Sequence, residues 1–173
     1  MLATDIGYRL THHDDLTWSP ASVVTEVESG VVMDVGGVLV TAAPTDHAPV
    51  RPTVGFRIDE GGRAVVVAGD TVPCAGLDDL CVGADVLVHT VVRRDLIEGI
   101  GLPRLLDVLD YHSSVEDAAR TAARAGVDTL VLTHMVPAPS PGTEQEWLDL
   151  AAAHFSGEVV LAEDLTTLDL PRP

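Results

Sequence analysis

The chain has 173 residues, with 27 Asp and Glu against 10 Lys and Arg, for a formal charge of −17. Every basic residue is Arg, hydrophobic residues make up 46% and aromatics only 3%. Such a chain is long and apolar enough to bury a core, and it is no disordered acidic tail. A pI near 4.4 argues against a free-standing nucleic-acid binder or a protein drawn to an anionic membrane. No apolar run is long enough to cross a bilayer, and no basic and apolar leader opens the chain, so the expectation is a cytoplasmic protein without a membrane partner. The two cysteines, Cys74 and Cys81, are read as free thiols on a loop-helix segment.

Taken in order, residues 22–28 (SVVTEVE) partly alternate and predict a half-buried strand. Residues 31–35 and 38–42 (VVMDV, VLVTA) flank Gly36-Gly37, a hairpin signal. Residues 53–58 and 64–68 (TVGFRI, AVVVA) flank a second turn at Asp59-Glu60-Gly61-Gly62. Residues 85–89 (DVLVH) predict a short buried strand. Ser113-Ser114-Val115-Glu116 has the form of a capping box, opening a helix that runs to Ala125 and stops at Gly126. Residues 129–133 (TLVLT) predict a strand, Thr143 to Glu146 a second capping box with a helix to about Phe155, and residues 159–162 a last strand. The expected class is α/β, antiparallel early and strand-helix-strand late.

The chemical signal is positional. His47, Asp70, His89 and His134 each follow an apolar stretch, and His112 stands before a capped helix. Loops at strand ends carry function on open α/β sheets, and imidazole and carboxylate are the usual ligands of catalytic zinc. Each has a plain structural reading too: a hydrogen-bonded His, a turn Asp, a helix-start His. Thr11-His12-His13-Asp14-Asp15 is the densest metal-like run, but adjacent residues of a strand point to opposite faces, so His12 and His13 are poorly placed to share an ion. His154 reads as structural. Arg93-Arg94 reads as a solvated helix face or, more sharply, as an anion contact.

Pro44-Thr45-Asp46-His47, Thr53-Val54-Gly55-Phe56-Arg57-Ile58, Ala68-Gly69-Asp70-Thr71, Tyr111-His112-Ser113-Ser114 and Leu132-Thr133-His134 follow one another in an order that resembles metallo-β-lactamase-fold hydrolases. The branch they resemble is the ribonuclease Z and arylsulfatase-like group. The resemblance implies a metallo-β-lactamase-like αβ/βα sandwich, incomplete and matching the C-terminal portion, with residues 1–173 as a single partial domain. It implies two divalent metal ions, zinc or manganese. His47 would bind the first, Asp70 would bridge both, His134 would bind the second, and His112 would be the catalytic residue facing the substrate. His89 would support a neighbouring group by hydrogen bonding.

Two departures shape the expectation. The family's H-x-H-x-D-H run is absent, and no His-x-His occurs anywhere, so Met1 reads as an internal start. In the tRNA-processing members a Glu follows the His that matches His89; Thr90 stands here. The expected function is a metal-dependent hydrolase of a phosphodiester, sulfate ester or carboxylic ester. The alternative is a non-catalytic remnant or interaction module exposing an apolar sheet face, able to form a homodimer. The acidic composition ranks a small-molecule ester above RNA.

Overall fold

The computed structural model describes residues 2–13, 15 and 23–170. A helix, α1 (Leu2–His12), comes first. Seven strands follow: β1 (Gly30–Val35), β2 (Val38–Pro44), β3 (Val54–Glu60), β4 (Arg63–Val67), β5 (Val86–Val92), β6 (Thr129–Val136) and β7 (Glu158–Leu161). Among them lie α2 (Ala75–Cys81), α3 (Arg94–Ile100), α4 (Pro103–Leu106), a 3-10 turn (Asp107–Asp110), α5 (Val115–Ala125) and α6 (Glu144–Ala152).

The strands form one sheet in sequence order. Pairing is antiparallel from β1 to β4 and parallel from β4 to β7. Gly36 and Gly37 have φ of 65° and 89°, as do Gly61 and Gly62 at 59° and 82°. Only residues tolerant of positive φ close a two-residue hairpin whose twist matches its strands. The second turn is thus two residues long, because Asp59 and Glu60 are still paired within β3.

Alternation puts Ala64 and Val66 of β4, Ala68 just beyond it, and Leu87 and Val91 of β5 on the face covered by α2, α5 and α6. Trp147, Leu77, Leu87, Leu130 and Leu132 are fully buried there. Burial of such a side chain contributes roughly 1.5–3 kcal/mol. The register places Met33, Val40, Ile58 and Val65 together on the opposite face. Met33 and Val67 there remain 43% and 39% exposed. The described residues therefore supply one sheet with α2, α5 and α6 on one face, the α/β half of the expected sandwich, and Ile97 of α3 and Leu109 pack with Val92 in a second, smaller cluster.

Several local expectations need correction. Residues 23–28 form no strand, and Val23 and Val24 are exposed; Ser22 lies outside the described residues. The cap of α5 sits one residue later than expected. Ser114 accepts from the Asp117 N–H, and Asp117 accepts from the Ser114 N–H. Thr143 makes no cap, its hydroxyl donating to the Ser140 carbonyl at 2.8 Å, and α6 ends at Ala152 rather than near Phe155. β5 runs on to Val92, so His89 lies inside a strand instead of ending one.

Candidate metal centre

Because β2 is antiparallel to β3, and β3 to β4, β2 runs the same way as β4, β5 and β6. The C-terminal ends of β2, β4 and β6 therefore share one edge of the sheet. His47 and Asp70 follow the first two, and His134 stands near the end of the third. This is the edge at which open α/β sheets place ligands.

Three loops are tied together beneath that edge. Thr71 is fully buried. Its Oγ1 accepts the Asp46 N–H at 3.0 Å, and its proton faces the Val72 carbonyl at 2.8 Å and the Asp46 carbonyl at 3.1 Å. The Val72 N–H donates to the Asp46 carbonyl at 2.9 Å. Ser113, also fully buried, donates its N–H at 3.0 Å and its hydroxyl at 2.8 Å to the Thr71 carbonyl. Asp46, Thr71 and Ser113 are the chain neighbours of His47, Asp70 and His112. The tie that joins the loops thus brings those three side chains into one place.

His47, Asp70 and His112 each offer one ligand atom within 4.8 Å of the others, the one such group among the described residues. The His47 Nδ1–H donates to the Tyr111 carbonyl at 2.8 Å, and the His112 Nδ1–H donates to the Val108 carbonyl at 3.0 Å. A carbonyl can only accept, so each ring carries a proton on Nδ1, and in the neutral form Nε2 is the lone pair. The two rings meet edge to face, 4.8 Å between centroids, and Tyr111 packs edge-on against His47 at 5.3 Å. Asp70 Oδ2 lies 3.7 Å from His112 Nε2 and 3.8 Å from His134 Nε2. This donor set, two oriented imidazoles and a carboxylate, fits a divalent cation.

His134 reaches Asp70 by a different route. It has φ of +44°, and the β5–β6 register shifts there, Thr90 facing Thr133 but Val92 facing Val136. A bulge at a strand end re-aims a side chain that regular alternation would bury. The ring is 58% exposed, and among the described residues its one polar neighbour is Asp70.

The other singled-out residues lie apart from this group. His89 is fully buried, donates Nδ1–H to the Thr90 carbonyl at 2.7 Å, and leaves Nε2 without a partner. Burial pushes its pKa down to about 4, against smaller opposing effects of the Thr90 hydrogen bond, Asp117 and Asp70. It bonds to none of His47, Asp70, His112 or His134. His12 lies on α1, its Nδ1 bonded to the Tyr8 carbonyl and its ring stacked on Tyr8, so the expected strand geometry does not apply. His154 lies beyond α6 and accepts from Arg120 at 3.2 Å. Arg93 is neither solvated nor free for an anion: it is 5% exposed, paired with Asp95 and Glu146, and stands over Trp147 at 5.4 Å. Thr71 and Ser113 build the site, yet nothing in the sequence pattern marks them for that role; the pattern assigns Ser113 to the helix cap.

The chain also matches known proteins along most of its length. The family described as the beta-lactamase superfamily domain matches residues 3–135. The chain belongs to the beta-lactamase superfamily. Within it, the chain is 56% identical over 172 residues to the ribonuclease Z of Mycobacterium avium (strain 104), covering 99% of this chain and 61% of that protein. It is 54% identical to the ribonuclease Z of Mycobacterium tuberculosis (strain H37Rv), covering 96% and 61%. The chain thus spans about three fifths of these curated relatives. Among solved structures, human tRNase Z, short form, matches with a TM-score of 0.57 at 27% identity, over 83% of this chain and 46% of that one. The metallo-beta-lactamase fold protein YhfI from Bacillus subtilis matches at 0.59 and 26%, over 76% and 49%. Zinc-bound PqqB from Methylobacterium extorquens, at 0.60 and 23%, shows the fold alone. The metallo-β-lactamase fold anticipated from the motif order is therefore correct.

The substrate ranking is not. The charge of −17 places a small-molecule ester above RNA. The relatives are named ribonuclease Z, which overturns that ranking. Net charge sums over the whole surface, whereas a phosphodiester is met by the local field of the few groups around it. Regarding membranes, no helix among the described residues is long and apolar enough to cross one.

Proposed function

We propose that residues 1–173 form a metal-dependent phosphodiesterase domain acting on RNA, with a metal site built on His47, Asp70 and His134 and with His112 facing the substrate. The observation that carries this reading is the convergence of His47, Asp70 and His112 within 4.8 Å, on loops tied together by Thr71 and Ser113. The two ribonuclease Z relatives support phosphodiester over sulfate or carboxylic ester.

A bound divalent ion, zinc or manganese, supplies a water of lowered pKa and neutralises charge on phosphoryl oxygens. The chain's own residues provide the rest. Asp70 offers a carboxylate flanked by two imidazoles, so it is the group two ions would share. His47, held by the Tyr111 carbonyl, presents Nε2 without rotamer search. His112 Nε2 stands 3.7 Å from the carboxylate, where its lone pair can accept a proton and then return it to a leaving oxygen. His89 sits within β5, fully buried and neutral near pH 7, as a packing group that adds no charge beneath the site.

The test is cleavage of an RNA precursor carrying a tRNA, with zinc or manganese added to the 173-residue chain. Metal-dependent cleavage lost in Asp70→Ala supports the reading. A folded chain that binds the metal and cleaves nothing points to the non-catalytic module, which the missing His-x-His motif favours.

A further inference from the structure

We infer that Arg93 is a positioning residue for His134, fixing the end of β6 by gripping both ends of the loop that joins β6 to α6. The inference rests on the reading above that gives His134 a part in the site, and it assigns Arg93 no contact with metal or substrate.

His134 needs such a support. Its ring is more than half exposed, and its one polar neighbour among the described residues is Asp70, at 3.8 Å. The Thr71–Ser113 tie makes no bond to β6. The backbone therefore sets where this ring stands. Just past His134, at the bulge, the Val136 carbonyl accepts the Arg93 N–H at 2.8 Å. Beyond the loop, Glu146 in the first turn of α6 accepts from the Arg93 guanidinium, from Nη1 at 3.2 Å and Nη2 at 3.3 Å. One residue thus grips the chain before and after residues 137–143. The guanidinium is itself held. Nε and Nη2 donate side by side to the two Asp95 oxygens at 2.8 and 2.7 Å, and the group stands over Trp147 with only 6% of the side chain exposed. A planar fork of donors can serve two carboxylates and cover an aromatic ring at once, which an ammonium cannot do. The residue before Arg93 completes the link: the Val92 N–H donates to the Ser113 carbonyl at 3.0 Å. The end of β5 therefore joins the tied loops of His47, Asp70 and His112 to the arm that carries His134. Asp95 and Glu146 are both more than half exposed, so releasing either strands no charge in the interior.

The experiment is proton–nitrogen NMR of the full 173-residue chain without added metal, reading the histidine rings and the backbone amides of residues 138–146. Glu146→Gln keeps the shape of the side chain and removes its charge. The His134 ring signals and those amides should shift. The Thr143 amide, bonded to the Ser140 carbonyl, should exchange about tenfold faster. Arg93→Lys should act in the same way, because the fork is lost. Asp95→Asn leaves Glu146 bonded and should move the His134 signals less than Glu146→Gln does. The His47 and His112 rings, anchored on the Tyr111 and Val108 carbonyls, should stay in all three variants. Glu146 lies at the surface, so its variant keeps the test intact if Arg93→Lys fails to fold. An unmoved His134 in Glu146→Gln, or His47 and His112 signals that move as far as those of His134, would overturn the inference. Cleavage of the RNA precursor separates it from the function. His134 signals that move as expected in a chain that cleaves nothing uphold the inference and sink the phosphodiesterase reading. In a chain that cleaves, Glu146→Gln should lower kcat about tenfold at saturating zinc, and an unchanged kcat would sink the inference alone.

Discussion

Ser113 and Thr71 are joined twice through one oxygen. The Thr71 carbonyl accepts the Ser113 hydroxyl at 2.8 Å and the Ser113 N–H at 3.0 Å, with both residues fully buried. Thr71 in turn holds Asp46. Ser113→Ala removes one of the two bonds and should cost about 1 kcal/mol. Thr71→Val keeps the shape but leaves the Asp46 N–H without its acceptor, and should cost about 1–3 kcal/mol. Urea unfolding gives both values. Zinc affinity should fall more in Thr71→Val than in Ser113→Ala, because only the former releases the His47 loop. Equal affinities would show that the loops hold together without the tie.

Gly76 sets how closely α2 approaches β2. A Cβ at that position would overlap the Pro44 carbonyl oxygen, a backbone atom with no side-chain freedom to yield. Pro44 leads directly into the His47 loop. Gly76→Ala should therefore destabilise the fold by more than about 2 kcal/mol, as overpacking against backbone does, and lower zinc binding with it. Gly99→Ala, in α3, where a Cβ meets nothing within 4 Å, is the control and should leave zinc binding unchanged without lowering stability.

His134 holds a left-handed backbone at φ +44°, a conformation that disfavours a Cβ. Against His134→Ala, His134→Gly should be more stable by about 0.5–1 kcal/mol, measured by thermal or urea unfolding. The opposite order would mean that the bulge is not fixed by this residue.

His89 gives stability a pH dependence of known sign. Its native pKa is depressed from 6.5 to about 4 by burial, so between those values the unfolded chain binds a proton that the folded chain refuses. Stability is retained above about pH 6.5 and falls on acidification toward about pH 4, with a slope of at most about 1.4 kcal/mol per pH unit from this group. Asp117 and Asp70 act on it in the opposite sense and limit the shift. His89→Gln should flatten the stability profile between about pH 4.5 and 6.5 relative to the unsubstituted chain. Parallel profiles would show that carboxylates alone set the slope.

Local chemistry made much of this fold legible in the sequence. The glycine pairs demanded two tight hairpins, and they formed where positive φ is tolerated. The apolar run at 85–89 predicted a short buried strand and that at 129–133 another strand, and Val86, Leu87, Leu130, Val131 and Leu132 are buried. The order of the His and Asp motifs pointed to the superfamily. Shifts of one residue escaped, because Ser113 and Ser114 are equally good caps on paper. Burial chose between them: Ser113 was drawn inward to the Thr71 carbonyl, and Ser114 with Asp117 was left to satisfy the helix start.

The sequence by itself determined which groups were available: imidazoles and a carboxylate near strand ends, following apolar segments. Tertiary structure decided which of them meet. Strand direction carried His47, Asp70 and His134 to one edge, the Thr71–Ser113 tie drew His112 beside His47, and the continuation of β5 buried His89 away from them. The net charge, for all its size, could not decide the substrate. A sum over 173 residues carries no positions, and catalysis depends on where a few charges stand.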